Sequence, residues 1–156
     1  LEAITMAVKP IPDGYPAVTP YLIVHDAAGA IAFYEQAFGA TELMRLADPS
    51  GKLAHAEIKI GNSPIMLSDE FPEMDHRSAQ AIGGTPVSLM VYVEDVDSLF
   101  NRAIAAGATE IRPVENQFYG DRAGTLADPF GHVWTLATHV EDVSMEEVNA
   151  RFSAMV

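Results

Sequence analysis

The sequence predicts an α+β protein made of two β-α-β-β-β modules, and three observations carry that prediction. First, Gly107-Ala108-Thr109-Glu110 repeats Gly39-Ala40-Thr41-Glu42, an offset of 107 − 39 = 68 residues, as expected of a duplicated supersecondary unit. Second, each copy of that word ends the same pattern: an apolar run, an Asp, apolar residues at helical spacing, then Gly. Third, Gly120 to His139 reads as two strands about a tight turn. Asp128-Pro129-Phe130-Gly131 supplies that turn, since Pro presets φ at its second position and Gly permits a positive φ.

Taken in order, residues 1–17 form an extended lead-in, because Pro10, Pro12, Gly14 and Pro16 interrupt any regular element. Met6 is a candidate natural start, and Leu1–Thr5 are expected to be extraneous to the fold. The first module covers 18–69. Thr19–Val24 is its first strand, and Asp26 caps the helix that follows, its carboxylate accepting from the free first-turn amides. Ile31, Tyr34, Ala37 and Phe38 recur at helical spacing until Gly39 stops the helix. Strands at about 41–47, 52–60 and 64–68 follow, turned by Asp48-Pro49-Ser50-Gly51 and Gly61-Asn62-Ser63.

Residues 70–85, acidic and rich in Gly and Pro, are expected as a loop linking the halves. The pattern restarts in a second module, 86–139. Val87–Val93 is a strand, Asp95 a cap, and Leu99, Arg102, Ala103 and Ala106 mark a helix ended by Gly107. Strands at about 109–115, 120–127 and 132–138 complete it. Val133-Trp134-Thr135-Leu136-Ala137 suits a strand buried on both faces. The tail, 140–156, holds a capping box, Ser144-Met145-Glu146-Glu147, and a short helix to about Ala154. Met145, Val148, Phe152 and Met155 line one side of it.

Composition narrows the function. With 156 residues the chain can form one substantial core, or two small half-domains sharing one. It lacks an apolar run near 18 residues, so no membrane span is expected, and no basic-then-apolar leader is visible. A net charge of −13 argues against nucleic acid or an anionic membrane as partner. The absence of cysteine excludes thiolate metal sites and a cysteine nucleophile, and a cytoplasmic location is expected.

Two β-α-β-β-β units joined by a short linker resemble the vicinal-oxygen-chelate superfamily of glyoxalase I, extradiol dioxygenases and bleomycin-resistance proteins. Several words sharpen the resemblance: Ala30-Ile31-Ala32-Phe33-Tyr34, His55-Ala56-Glu57-Ile58, Ile65-Met66-Leu67-Ser68-Asp69, Gln117-Phe118-Tyr119-Gly120-Asp121-Arg122 and Asp128-Pro129-Phe130-Gly131-His132. With the tail Ala137-Thr138-His139-Val140-Glu141-Asp142-Val143, they look like the PhnB-like branch. The resemblance implies half-barrel modules around a small-molecule cavity and a twofold homodimer. It does not fix a reaction, because one fold serves lyases, dioxygenases and plain binders.

In glyoxalase-type members a divalent ion sits on His, Glu or Gln from the first and fourth strands of each module. Matching the strand-to-helix junctions Val24-His25-Asp26 and Val93-Glu94-Asp95 places Thr19 and Ser88 at two of those positions. Met66 and Thr135 fall at the others. Neutral hydroxyls and a thioether make a poor divalent site, so no cofactor is expected.

Of five histidines, His25 and His76 read as solvated loop residues, His132 as a structural hydrogen bonder and His139 as a strand-end residue. His55 stands out. It shares strand parity with Glu57, roughly 6–7 Å away, and the pair is either a polar exposed face or a catalytic acid–base couple. Asp121-Arg122 reads as a turn contact, with anion binding as the alternative. By parity the cavity should also present Thr19, Tyr21, Met66, Ser68, Ser88, Met90, Tyr92 and Thr135, a lining suited to a small organic molecule. The primary reading is a metal-independent binder. The alternative is a glyoxalase-type lyase or isomerase using His55 and Glu57 or an atypical metal site.

Overall fold

A computed structural model describes residues 7–156; the reading of Leu1–Thr5 and Met6 lies outside the described residues. The chain forms two four-stranded sheets, each with one long helix on its convex face. In the first, β1 (Tyr21–Val24), α1 (Ala27–Phe38), β2 (Thr41–Ala47), β3 (Leu53–Ile60) and β4 (Ser63–Asp69) give the strand order β1-β4-β3-β2. The pair β1–β4 is parallel and the others antiparallel. After a short helix α2 (Ala79–Ile82), the second module repeats the plan. Its elements are β5 (Ser88–Tyr92), α3 (Val96–Ala106), β6 (Thr109–Asn116), β7 (Asp121–Ala127) and β8 (Val133–His139), in order β5-β8-β7-β6. Helix α4 (Met145–Met155) ends the chain.

The expected caps hold the two long helices. Asp26 accepts from Gly29 N and Asp95 from Ser98 N, at 3.0 and 3.1 Å. Gly39, at φ +69°, closes α1 in the left-handed region, where a side chain would be strained. The first strand begins at Tyr21 rather than Thr19. Pro20 has no N–H to give a ladder, and only its carbonyl joins, accepting from Met66 N at 3.0 Å. The linker is more ordered than a loop: it carries a 3₁₀ turn, Pro72–Met74, and α2, which Ser78 caps at Ala81 N. In the tail only half of the capping box forms. Ser144 Oγ accepts from Glu147 N, while the Glu147 carboxylate turns to Arg151.

The core lies between the two modules. Helices α1 and α3 pack on each other, and Ile31, Tyr34, Phe38, Ile58 and Leu67 join Phe100, Phe130, Trp134 and Leu136 in one buried cluster. Polar ties cross the same boundary. Arg102 donates to the carbonyls of Gln36 and Glu35 at the end of α1, and His132 Nε2 lies 3.1 Å from Ile23 O. The two sheets do not pair with each other; the helix-covered face of each supplies the shared core, and the opposite, concave face points away from it.

Asp128 sits at this junction, 5 % exposed. Oδ1 accepts from Phe130 N and His132 N at 2.8 and 3.0 Å, which shapes the β7–β8 turn. Oδ2 accepts from Trp134 Nε1 at 2.8 Å and from Tyr34 Oη at 2.5 Å. Burial, followed by the neighbouring Asp128 charge, pushes the Tyr34 phenol well above its ordinary range. Replacing Asp128 with Ala strands four donors, and urea unfolding should show a loss of about 3–5 kcal/mol. Tyr34→Phe removes only one partner and should cost about 1–2 kcal/mol. Equal losses for the two variants would mean that Asp128 acts only through Tyr34.

Candidate functional site

Strand β3 alternates as its sequence dictates. Ala56, Ile58 and Ile60 are buried toward α1, leaving His55, Glu57 and Lys59 on the concave face. The register then sets a row across the first sheet, because Tyr21 pairs with Met66, Met66 with Glu57, and Glu57 with Met44. Leu46 pairs with His55. This row brings together Tyr21, His55, Glu57 and Met66, four of the residues that strand parity selected.

A continuous hydrogen-bonded chain joins the polar ones. Tyr21 Oη lies 2.8 Å from His55 Nδ1, and His55 Nε2 lies 2.8 Å from Glu57 Oε2. Tyr15 Oη donates to Glu57 Oε1. The His55 and Glu57 side chains are 26 % and 15 % exposed, half-buried yet reachable. An ionised carboxylate only accepts, so Nε2 must donate to Glu57. In the neutral ring Nδ1 is then an acceptor, and the Tyr21 hydroxyl donates to it.

Sequence reasoning missed Tyr15, placing it in the featureless lead-in. The signal lay in Pro12-Asp13-Gly14-Tyr15-Pro16: Tyr15 N donates to Pro12 O at 3.1 Å and Gly14 takes φ +83°, a turn that aims Tyr15 at the sheet. Two other predicted lining residues stand apart from the row. Ser68 is fully buried and its Oγ donates to Asp69 O, and Thr19 precedes the strand.

Ser88, Met90, Tyr92 and Thr135 lie on the concave face of the second sheet, where Thr135 Oγ1 is 3.1 Å from Thr125 Oγ1. Met90 and Tyr92 also border a groove of about 610 Å³ between β5 and the β3–β4 turn, floored by Phe38 and Trp134. None of His55, Glu57 or Met66 lines it. The predicted residues therefore form two separate faces within one chain. Arg122 makes a forked pair with Asp97 at 2.8 Å for each bond, tying β7 to α3 rather than offering an anion clamp.

The second sheet has its own polar cluster. Asp121, 3 % exposed, accepts from Tyr92 Oη at 2.8 Å and contacts His139 Nδ1 at 2.9 Å. His139 Nε2 contacts Asp142 in the tail at 2.7 Å. Hydrogen bonds to Asp121 and then Asp142 raise the His139 pKa above its ordinary value.

The residues at the positions where the resemblance places a metal do not fit one. Thr19 and Met66 belong to one module, Ser88 and Thr135 to the other, and together they offer hydroxyls and a thioether where a divalent ion needs imidazole or carboxylate. Among the described residues no group of three or more His, Asp or Glu side chains could hold an ion. No helix among them is long and apolar enough to cross a membrane.

Residues 16–136 match the model of the Glyoxalase/Bleomycin resistance protein/Dioxygenase superfamily. The uncharacterised Mycobacterium tuberculosis protein Rv0887c is 46% identical over 142 residues, 89% of this chain and 84% of that one. The crystal structure of TioX from Micromonospora sp. ML1 superposes with a TM-score of 0.62 at 26% identity, covering 83% of this chain and all of that one. A Bacillus cereus structure described as a putative 3-demethylubiquinone-9 3-methyltransferase, PhnB protein, gives 0.63 at 19% identity over 79% and 99%; that likeness is one of fold.

Two measurements follow. Long-range ¹H–¹⁵N spectra should show neutral His55 protonated at Nε2, with that preference weakened in Glu57→Gln; an unchanged tautomer in the variant would break the chain described here. For His139 the raised pKa means that its clasp on Asp121 and Asp142 is fully present below the ordinary histidine value. The clasp is lost as pH rises through the raised one. Backbone shifts of residues 140–144 should therefore titrate with the His139 ring in that upper window, and His139→Gln should remove the step.

Proposed function

We propose, from the premise that the chain belongs to the Glyoxalase/Bleomycin resistance protein/Dioxygenase superfamily, that it is a metal-independent binder of a small organic molecule. The words His55-Ala56-Glu57-Ile58, Gln117-Phe118-Tyr119-Gly120-Asp121-Arg122 and Asp128-Pro129-Phe130-Gly131-His132 support a place in the PhnB-like branch. One observation carries the binding reading: the concave face of the first sheet sets a half-buried polar chain, Tyr15–Glu57–His55–Tyr21, in a row with Met66 and Met44. Thioethers and aromatic rings adapt to an apolar body, and the polar chain orients it. The acidic surface supports a reading without nucleic acid or membrane as partner, and a cytoplasmic location.

The same polar chain favours a second reading, acid–base catalysis of a lyase or isomerase type. A tyrosine hydroxyl bonded to an imidazole, itself braced by a carboxylate, can release a proton inward and take one back. Tyr21 would be the group that touches substrate, with His55 the base and Glu57 its brace.

Assembly is part of the proposal. Tyr21, Met90 and Tyr92 are 44 %, 47 % and 60 % exposed on the concave faces, and Met145, Phe152 and Met155 are exposed on α4. The outer strands of both sheets are uncovered edges, a liability that a second copy removes. A homodimer covers these surfaces.

Fragment screening by NMR tests the function. Binders should move the His55 ring and Met66 methyl signals and leave His25 and His76 unchanged. Fragments that bind while His55 and Met66 stay silent would place the site elsewhere. Elemental analysis after dialysis, followed by titration with Zn, Ni, Mn and Fe(II), should find no stoichiometric ion. One ion per chain that survives Ala at both His55 and Glu57 would overturn the metal-independent reading. Light scattering should give a dimer, weakened by deleting residues 143–156, and a sharp monomer at high micromolar concentration would end the assembly proposal.

A further inference from the structure

We infer that the first-sheet site selects a ligand that presents hydrogen-bond donors, foremost a protonated organic amine; this rests on the reading of that face as the ligand site. Hydrogen-bond direction sets this preference. Glu57 accepts from Tyr15 at Oε1 and from His55 at Oε2, so it fixes the polarity of everything attached to it. With Nε2 donating, neutral His55 accepts at Nδ1, and Tyr21 spends its only proton there. Tyr15 has likewise spent its proton on Glu57. Both hydroxyls therefore have only lone pairs left for a further partner, and the carboxylate they are linked to carries the charge.

A ligand acceptor meets no free donor in the Tyr15–Glu57–His55–Tyr21 chain, and an anion meets a carboxylate. A donor meets two phenolic oxygens backed by negative charge, and an ammonium also gains from the tyrosine ring faces. Met66 and Met44, in the same row, supply soft apolar surface for the rest of the molecule. The net charge of −13 adds a long-range field of the same sign. Lys59 shares the strand parity of Glu57 and opposes a cation, but it is exposed, and its flexible stem leaves the ammonium in water.

The test uses three probes of one shape on the intact chain, at a pH where imidazole is neutral: 2-phenylethylamine, phenethyl methyl ether and 3-phenylpropionate. Binding is read from the His55 ring and the Met44 and Met66 methyls. The amine should bind about tenfold or more tighter than the ether, the worth of one charge-assisted hydrogen bond, and 3-phenylpropionate should be weakest. Glu57→Gln should bring amine and ether to within about threefold of each other, since it removes the charge that favours the ammonium. Tyr21→Phe makes the same comparison if the Gln variant does not fold, and it should also narrow the gap. Ether or carboxylate binding at these signals as tightly as the amine overturns the inference and leaves the binding site standing. No response from any probe, together with no fragment that moves these signals, overturns the site itself and the inference with it.

Discussion

The four hydrogen bonds that converge on the Asp128 carboxylate connect levels of structure that other contacts serve singly. Two close the β7–β8 turn, one fixes the Trp134 indole at the centre of the core, and one reaches across to Tyr34 on α1. A buried carboxylate is costly unless its lone pairs are filled, and here each oxygen has two donors. The Trp134 and Tyr34 rings are fully buried and 5.4 Å apart. The charge therefore fixes the orientation of the aromatic cluster that both modules share.

That geometry determines which faces stay open. Because α1 packs on α3 over the shared core, each sheet turns its convex face inward and its concave face out. The first face becomes a half-buried hydrogen-bonded chain beside two methionines. The second becomes an exposed strand, β5, with a buried aspartate behind it. Neither face is closed within the chain, which is why Tyr21, Met90 and Tyr92 remain accessible.

The two polar clusters share chemistry and differ in state. At His55 a single carboxylate takes one ring nitrogen and a tyrosine takes the other, an arrangement a neutral ring satisfies. At His139 carboxylates occupy both nitrogens. Acceptors on both sides require two N–H donors, so the geometry is that of an imidazolium. One residue type thus sits in a tyrosine–carboxylate chain on the first sheet and in a charged clasp between β7 and the tail on the second. Gly120 completes that clasp. Its carbonyl accepts from Val140 and Glu141, and a side chain at its φ of +104° would collide with the Glu141 carbonyl.

The sequence by itself determined the architecture: the repeated Gly-Ala-Thr-Glu word, the Asp caps and the Gly stops are local signals, and local backbone preferences act on them directly. Strand parity likewise placed His55 and Glu57 on one face, because a strand's period of two is fixed by its pleat. Tertiary structure alone decided the rest. Tyr15 reaches Glu57 across 42 residues of sequence, a contact that no periodicity encodes. Ser68 has the parity of Met66, yet it is fully buried and its hydroxyl donates to Asp69 O. The expected lining split into two faces because helix packing, rather than strand pattern, sets how the modules face. Parity states which side of a sheet a residue is on; what stands opposite that side depends on long-range packing that a single sequence does not record.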